Sequence, residues 1–198
     1  MSPRSNEDFE RMRVESKEKI THAALALFAE KGFNLTTIEM IASEADVSKG
    51  LVYNYFTSKE DLLEYTLMSA FEHVDDAFAD LLKSGDPLKI IEKFINGMFD
   101  FFLEHAGFWR IQMNIMMHSD LPTRIREVVM KKMKDYIAFM EQTFLAAGIQ
   151  NAMGESWLLA SSLDGAMLYY LFNERDCPVE EIRRALLSHY QKLFTSNS

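Results

Sequence analysis

Apolar residues recur three and four apart along almost the whole chain, a spacing that gathers them on one side of an α-helix, and the pattern predicts an all-α protein. From Val14 to Lys31 the stripe is Ile20, Ala23, Ala24, Leu27 and Phe28, with Gly32 as its stop. Ile38, Ile41 and Ala42 form a narrow stripe on a short helix. Thr36 with Glu39 reads as the capping box that starts it, and Asp46 ends it. Ser48 then caps a second short helix whose inner face is Leu51, Val52, Tyr55 and Phe56. Ser58 with Asp61 opens a long helix to about Lys83, broken by Ser84-Gly85-Asp86-Pro87.

Pro87 begins a helix with a wide apolar face through Leu88, Ile91, Phe94, Ile95, Met98, Phe102 and Leu103. The segment from Phe108 to His118 is apolar nearly all round, as a helix buried on every side would be. Asp120-Leu121-Pro122 opens another long helix to about Ala147, basic in its first half. The last two helices run from about Ala152 to Asn173 and from about Val179 to Phe194, and both carry more apolar face than one neighbour covers. They are expected to pair with their copies as a four-helix bundle across a two-fold axis. The expected architecture has about nine helices: a three-helix N-terminal domain over residues 1–58, a connecting helix over 59–83, and a larger C-terminal helical domain over 84–198.

Charge changes this picture at one place. The chain carries 21 Lys and Arg against 30 Asp and Glu, a formal net charge of −9. Yet the segment from Val47 to Lys59 holds Lys49 and Lys59 and no acid, with Ser48, Tyr53, Asn54 and further hydroxyls between them. These are side chains that bond phosphate oxygens, carried on a helix of a width that fits the DNA major groove. Two short helices with such a face read as a helix-turn-helix. Because the whole chain is acidic, binding is expected to be salt-sensitive and weak on random DNA.

The residues Glu30-Lys31-Gly32-Phe33, Thr36-Thr37-Ile38, Ile41-Ala42, Val47-Ser48-Lys49-Gly50, Tyr53-Asn54-Tyr55-Phe56 and Ser58-Lys59-Glu60 resemble the N-terminal domain of TetR-family transcriptional regulators. The resemblance covers roughly the first third of the chain. It implies that Thr37, Tyr53, Tyr55 and Lys59 bond the phosphate backbone and that Ser48, Lys49 and Gly50 form the tip of the recognition helix, with Lys49 in reach of a guanine edge. Thr36 completes the DNA-binding set, and Arg4, Arg11 and Arg13 mark an N-terminal stretch that reads first as a solvated tail and otherwise as an arm that in related domains can touch the backbone. The family usually has Gly where this chain has Asp46. Phe56, and partly Tyr55, also read as core aromatics.

The C-terminal two thirds hold most of the 13 Met and many of the 15 Phe, residues that fill cores and also line adaptable apolar pockets. The candidate pocket set is Phe102, Trp109, Met113, Met117, Phe139, Trp157 and Met167, with Asp164 either orienting a polar or cationic group or serving as a capped or paired structural carboxylate. The five His show no metal-ligand spacing, and the lone Cys177 excludes an internal disulfide. No Gly-rich phosphate loop or nucleophile elbow is present, so no enzyme, cofactor or metal is expected. No apolar run reaches the length of a membrane span or a signal peptide, and the expected location is the cytoplasm.

These readings converge on a homodimeric transcriptional repressor that binds a palindromic double-stranded operator and is released by a small, largely apolar effector. The alternative is a DNA-bound scaffold of the same fold that holds a protein partner and has no small-molecule pocket.

Overall fold

The computed structural model describes residues 6–82, 85–117 and 123–196, and among them the chain is built of nine α-helices with no strand. In chain order they are α1 (Asn6–Lys31), α2 (Ile38–Glu44), α3 (Lys49–Tyr55), α4 (Lys59–Leu82), α5 (Pro87–Glu104), α6 (Ala106–Met117), α7 (Thr123–Ala146), α8 (Ala152–Phe172) and α9 (Val179–Ser196). The all-α architecture expected from apolar spacing is the one observed. The first helix begins well before Val14, in a polar stretch that has no apolar rhythm to reveal it and includes the i,i+4 pair Arg11–Glu15.

Packing groups the helices into two compact units, one of Met1–Ala70 with Arg110–Arg126 and the other of Phe71–Trp109 with Glu127–Ser198. The first half of α4 thus belongs with the three N-terminal helices.

In the first unit the apolar stripes predicted from sequence meet. Ile20, Ala24 and Phe28 of α1, Ile41 of α2, Val52 of α3, and Leu62, Leu63 and Leu67 of α4 are all essentially solvent-free. Burying each of these side chains other than Ala24 is worth ~1.5–3 kcal/mol relative to leaving it in water, which is what holds helices as short as α2 and α3. Lys17 of α1 lays its ammonium over the Tyr65 ring at 3.6 Å, and that ring meets Phe56 at 5.4 Å. Arg124 at the start of α7 grips Glu64 of α4 at 2.8 and 3.0 Å.

In the second unit α5 packs against both α8 and α9. Asp86 caps α5 by accepting from the backbone N–H of Leu88 at 3.1 Å, and Pro87 occupies the first turn, where its missing N–H costs nothing. Ile91, Ile95, Phe99 and Phe102 then face inward and are fully buried. Arg183 of α9 reaches Asp100 of α5 at 2.8 Å with its guanidinium 5.2 Å from the Phe99 ring. Tyr190 of α9 is wholly buried beside Phe144 of α7. Cys177 lies in the loop after α8, its thiol 3.9 Å from the Ala166 carbonyl of that helix; burial raises its pKa and so disfavours the reactive thiolate.

Candidate nucleic-acid interface

The turn between α2 and α3 is made by short-range chemistry. Thr37 caps α2 by accepting from the Met40 backbone N–H at 3.2 Å, and Ser48 caps α3 by accepting from Leu51 N–H at 3.1 Å. Between them Asp46 takes φ +53°, a left-handed conformation that a short polar side chain tolerates, and the Val47 N–H returns to the Ala42 carbonyl at 2.9 Å. The Asp that replaces the family's usual Gly therefore fits the turn.

One capping residue differs from the sequence reading. Thr36 does not cap α2; it is fully buried, and its hydroxyl donates to the carbonyls of Leu27 at 3.1 Å and Gly32 at 2.8 Å, closing the end of α1. Its neighbour Thr37 faces water and takes the capping role. Two adjacent threonines look alike in sequence, and only the position of the α1 terminus distinguishes them. As a candidate DNA contact, Thr36 has no exposed surface in this structure.

The other candidate DNA contacts divide by where their side chains go. Thr37, Ser48, Lys49, Gly50 and Tyr53 are exposed, Tyr53 to 50%, and lie on the outer side of the motif with Asn54. Tyr55 is half-buried, its ring 6.4 Å from Phe56. Lys59 turns inward: its ammonium donates to the carbonyls of Phe33 at 2.7 Å and Thr36 at 2.9 Å and lies 4.2 Å from the Phe33 ring, and burial lowers its pKa. Lys49 forms an ion pair with Glu39 of α2, a partner its distance in sequence did not suggest. A Cβ added to Gly50 would meet nothing closer than the Ser48 hydroxyl at 3.9 Å, so no internal contact demands glycine there. Arg11 and Arg13 lie exposed on α1, while Arg4 falls outside the described residues.

The predicted pocket residues disperse. Phe102 and Trp109 are buried and meet edge to face at 4.0 Å, in an aromatic cluster that includes Phe99 and Phe108. The Trp109 indole Nε1 is buried and finds no acceptor among the described residues. Met167 is buried, Phe139 and Asp164 are half-buried, and Met113 is half-buried in the other unit; the Met117 side chain lies outside the described residues. Trp157 is 54% exposed, on an outer face of α8 with Met153, Leu158, Tyr169 and Phe172, and so does not line an interior cavity of this chain. Burial pushes the Asp164 carboxyl up to about 6. An open depression of about 330 Å3 lies elsewhere, lined by Asp86, Pro87, Leu88, Ala146, Ala147, Phe194 and Thr195. Among the described residues there is no cluster of His, Cys, Asp or Glu arranged for a metal, and no helix long and apolar enough to cross a membrane.

The motif thus offers hydroxyls, a phenol, an amide, the Lys49 ammonium and the bare backbone of Gly50 on one outer face, a set that bonds anionic oxygens and base edges. Comparison with known proteins agrees with this chemistry. Residues 20–66 match the model of bacterial regulatory proteins of the tetR family. The chain is 40% identical over 99 residues to the uncharacterized HTH-type transcriptional regulator YerO of Bacillus subtilis (strain 168), an alignment covering 48% of this chain and 34% of that protein. It thus spans about a third of that relative's length. Among solved structures, a TetR-like transcriptional regulator from Rhodococcus sp. RHA1 superimposes with a TM-score of 0.76 at 18% identity, covering 89% of this chain and 94% of that one. The transcriptional regulator FadR from Bacillus subtilis in complex with stearoyl-CoA gives 0.74 at 16% identity, over 87% and 96%. Residues 20–66, with their two capped helices and tight turn, thus match the DNA-binding domain of the tetR family of bacterial regulatory proteins, and the chain shares the fold of these solved regulators.

Proposed function

We propose that the chain is a homodimeric repressor that reads a palindromic operator with α3 and is released by a small, largely apolar ligand bearing a hydrogen-bond acceptor. The observation that carries the DNA reading is the outer face of α3. Lys49, Gly50, Tyr53 and Asn54 are all exposed, while the opposite side of the same two-turn helix supplies Val52 to the core. Two such helices in a dimer must stand ~34–36 Å apart to enter successive major grooves. The second copy is supported by α8, whose exposed Met153, Trp157, Leu158, Tyr169 and Phe172 form more apolar surface than a solitary protomer keeps in water. The contacts assigned to Thr37, Ser48, Lys49, Gly50, Tyr53 and Tyr55 belong to this proposal.

For the ligand, the supporting feature is the Trp109 indole N–H, buried among rings with no acceptor among the described residues. A carbonyl or carboxylate would satisfy it while an acyl chain contacted the surrounding aromatics. The FadR structure that shares the fold holds stearoyl-CoA, which makes acyl thioesters the first compounds to try.

Selection of bound sequences from a random DNA library tests the operator reading; recovery of a two-fold symmetric site supports it, and recovery of no sequence above background removes it. Lys49→Ala should weaken binding to the selected site. Release by acyl thioesters is then measured on that site. A protein whose operator affinity is unchanged by every compound that binds it is the scaffold alternative.

A further inference from the structure

We propose that Glu39 is a specificity-determining residue of the DNA-reading surface: it holds Lys49 in an internal ion pair that only the correct duplex displaces, and so suppresses binding to random DNA. This inference rests on the DNA-binding reading above and concerns how that surface discriminates.

Glu39 is the second residue of α2 and Lys49 the first of α3, ten positions apart and joined across the turn, with side chains 61% and 48% exposed on the outer side of the motif. The charges around them make the pair consequential. From Thr36 to Lys59 the cations are Lys49 and Lys59, while the acids Glu39, Glu44 and Asp46 are all exposed. Lys59 spends its ammonium on the Phe33 and Thr36 carbonyls. The outward cation of the two helices is therefore Lys49, and it is already neutralised.

An exposed pair of this kind adds little to folding, and α2 takes its cap from Thr37, so the contact is not needed to build the motif. Its direct effect is on charge. The bond to Lys49 lowers the Glu39 pKa, and the bond to Glu39 raises that of Lys49, so both stay charged through the neutral range. Attraction to random DNA comes almost entirely from cations that displace counterions at phosphates. With Lys49 paired, meeting a phosphate only exchanges one oxyanion for another, and net gain must come from base contacts that only the operator supplies. Discrimination here works by withholding affinity from wrong partners.

Wild type, Glu39→Gln, Lys49→Ala and the double variant are compared by fluorescence anisotropy on a random-sequence duplex and on the selected operator, across a salt series. Glu39→Gln should bind the random duplex about fivefold tighter near physiological salt, with the slope of log K against log salt steeper by ~0.9, the contribution of one more phosphate contact. The ratio of operator to random affinity should fall, and adding Lys49→Ala should erase both changes. Glu39→Ala, which removes the carboxylate with a different side-chain shape, should repeat the result if charge is the cause. Identical random-duplex binding by Glu39→Gln and wild type overturns the inference. So does a gain that survives in the double variant, since Glu39 would then repel DNA without involving Lys49. Failure of wild type to bind any duplex is a separate outcome, and it removes the DNA reading itself.

Discussion

The guanidinium of Arg183 meets the carboxylate of Asp100 at 2.8 Å, tying α9 to α5, and its cationic carbon lies 5.2 Å from the Phe99 ring. The Arg183 side chain is only 14% exposed whereas that of Asp100 is 67% exposed, so most of what the contact contributes is the buried arginine stem and its position over the ring. Arg183→Ala should destabilise the protein by about 1–2 kcal/mol, a fall of roughly 2–8 °C in Tm for a chain of this size. Asp100→Ala, which leaves the stem and the Glu180 contact in place, should cost less than half of that. Thermal unfolding of the two variants checks the order; equal losses would assign the effect to the ion pair.

Gly50 separates the needs of folding from those of binding. It occupies the second position of α3, and nothing in the chain crowds the place where a Cβ would stand. Gly50→Ala should leave stability unchanged or raise it by ~0.5–1 kcal/mol, since glycine is the costlier residue in a helix. If backbone approaches DNA at this point, the same variant should lose about tenfold in operator affinity, a penalty of the size of one good base contact. Unfolding midpoints and gel shifts on one preparation give both numbers, and wild-type operator affinity would move the close approach elsewhere.

Asp164 supplies a pH dependence whose sign can be stated. Burial raises its carboxyl from the ordinary 3.8 to about 6, so between those values the native state holds a proton that the unfolded chain has released. Stability from this group is therefore greatest at the acid end and declines as pH rises through the window, by no more than about 2–3 kcal/mol. Asp164→Asn should abolish that decline and leave the variant more stable than wild type at pH 7. Urea midpoints at pH 5 and pH 7 for the two proteins decide it, and a parallel pH response in both would assign the effect to another group.

Trp157 tests the second copy. It is 54% exposed on α8, so Trp157→Glu should leave each protomer folded while placing a charge in the middle of the proposed apolar contact. Dimer dissociation should become at least roughly thirtyfold easier, as for loss of a central aromatic anchor. Sedimentation at several concentrations measures the change; an unaltered mass distribution would move the interface away from this face.

Much of the fold could be read from apolar spacing because each helix is delimited by local chemistry. Gly32 and Gly148 stop their helices with φ +79° and +76°, Ser48 and Asp86 cap theirs, and Pro87 begins α5. The side-chain destinations at the candidate interface were less legible. Which of Thr36 and Thr37 caps α2 depends on where α1 ends, and Lys59 looks like a surface cation until the Phe33 and Thr36 carbonyls are brought to it across 26 and 23 residues. The Lys49–Glu39 pair spans ten residues, which is outside the three- and four-residue spacing that a helical pattern reveals. Trp157 and Met167 were indistinguishable as pocket candidates in sequence, yet Trp157 is more than half exposed and Met167 is buried.

The inward turn of Lys59 has a mechanical implication. As the first residue of α4 it is anchored by two hydrogen bonds to the loop that leads into α2, and Ser58 beside it caps the same helix. A tug on α4 along its axis therefore reaches the Phe33–Thr36 loop through this ammonium as well as the core of the unit through Leu62, Leu63 and Leu67. Loosening that one ammonium would remove the polar link of α4 to this loop while the apolar links made by Leu62, Leu63 and Leu67 remain.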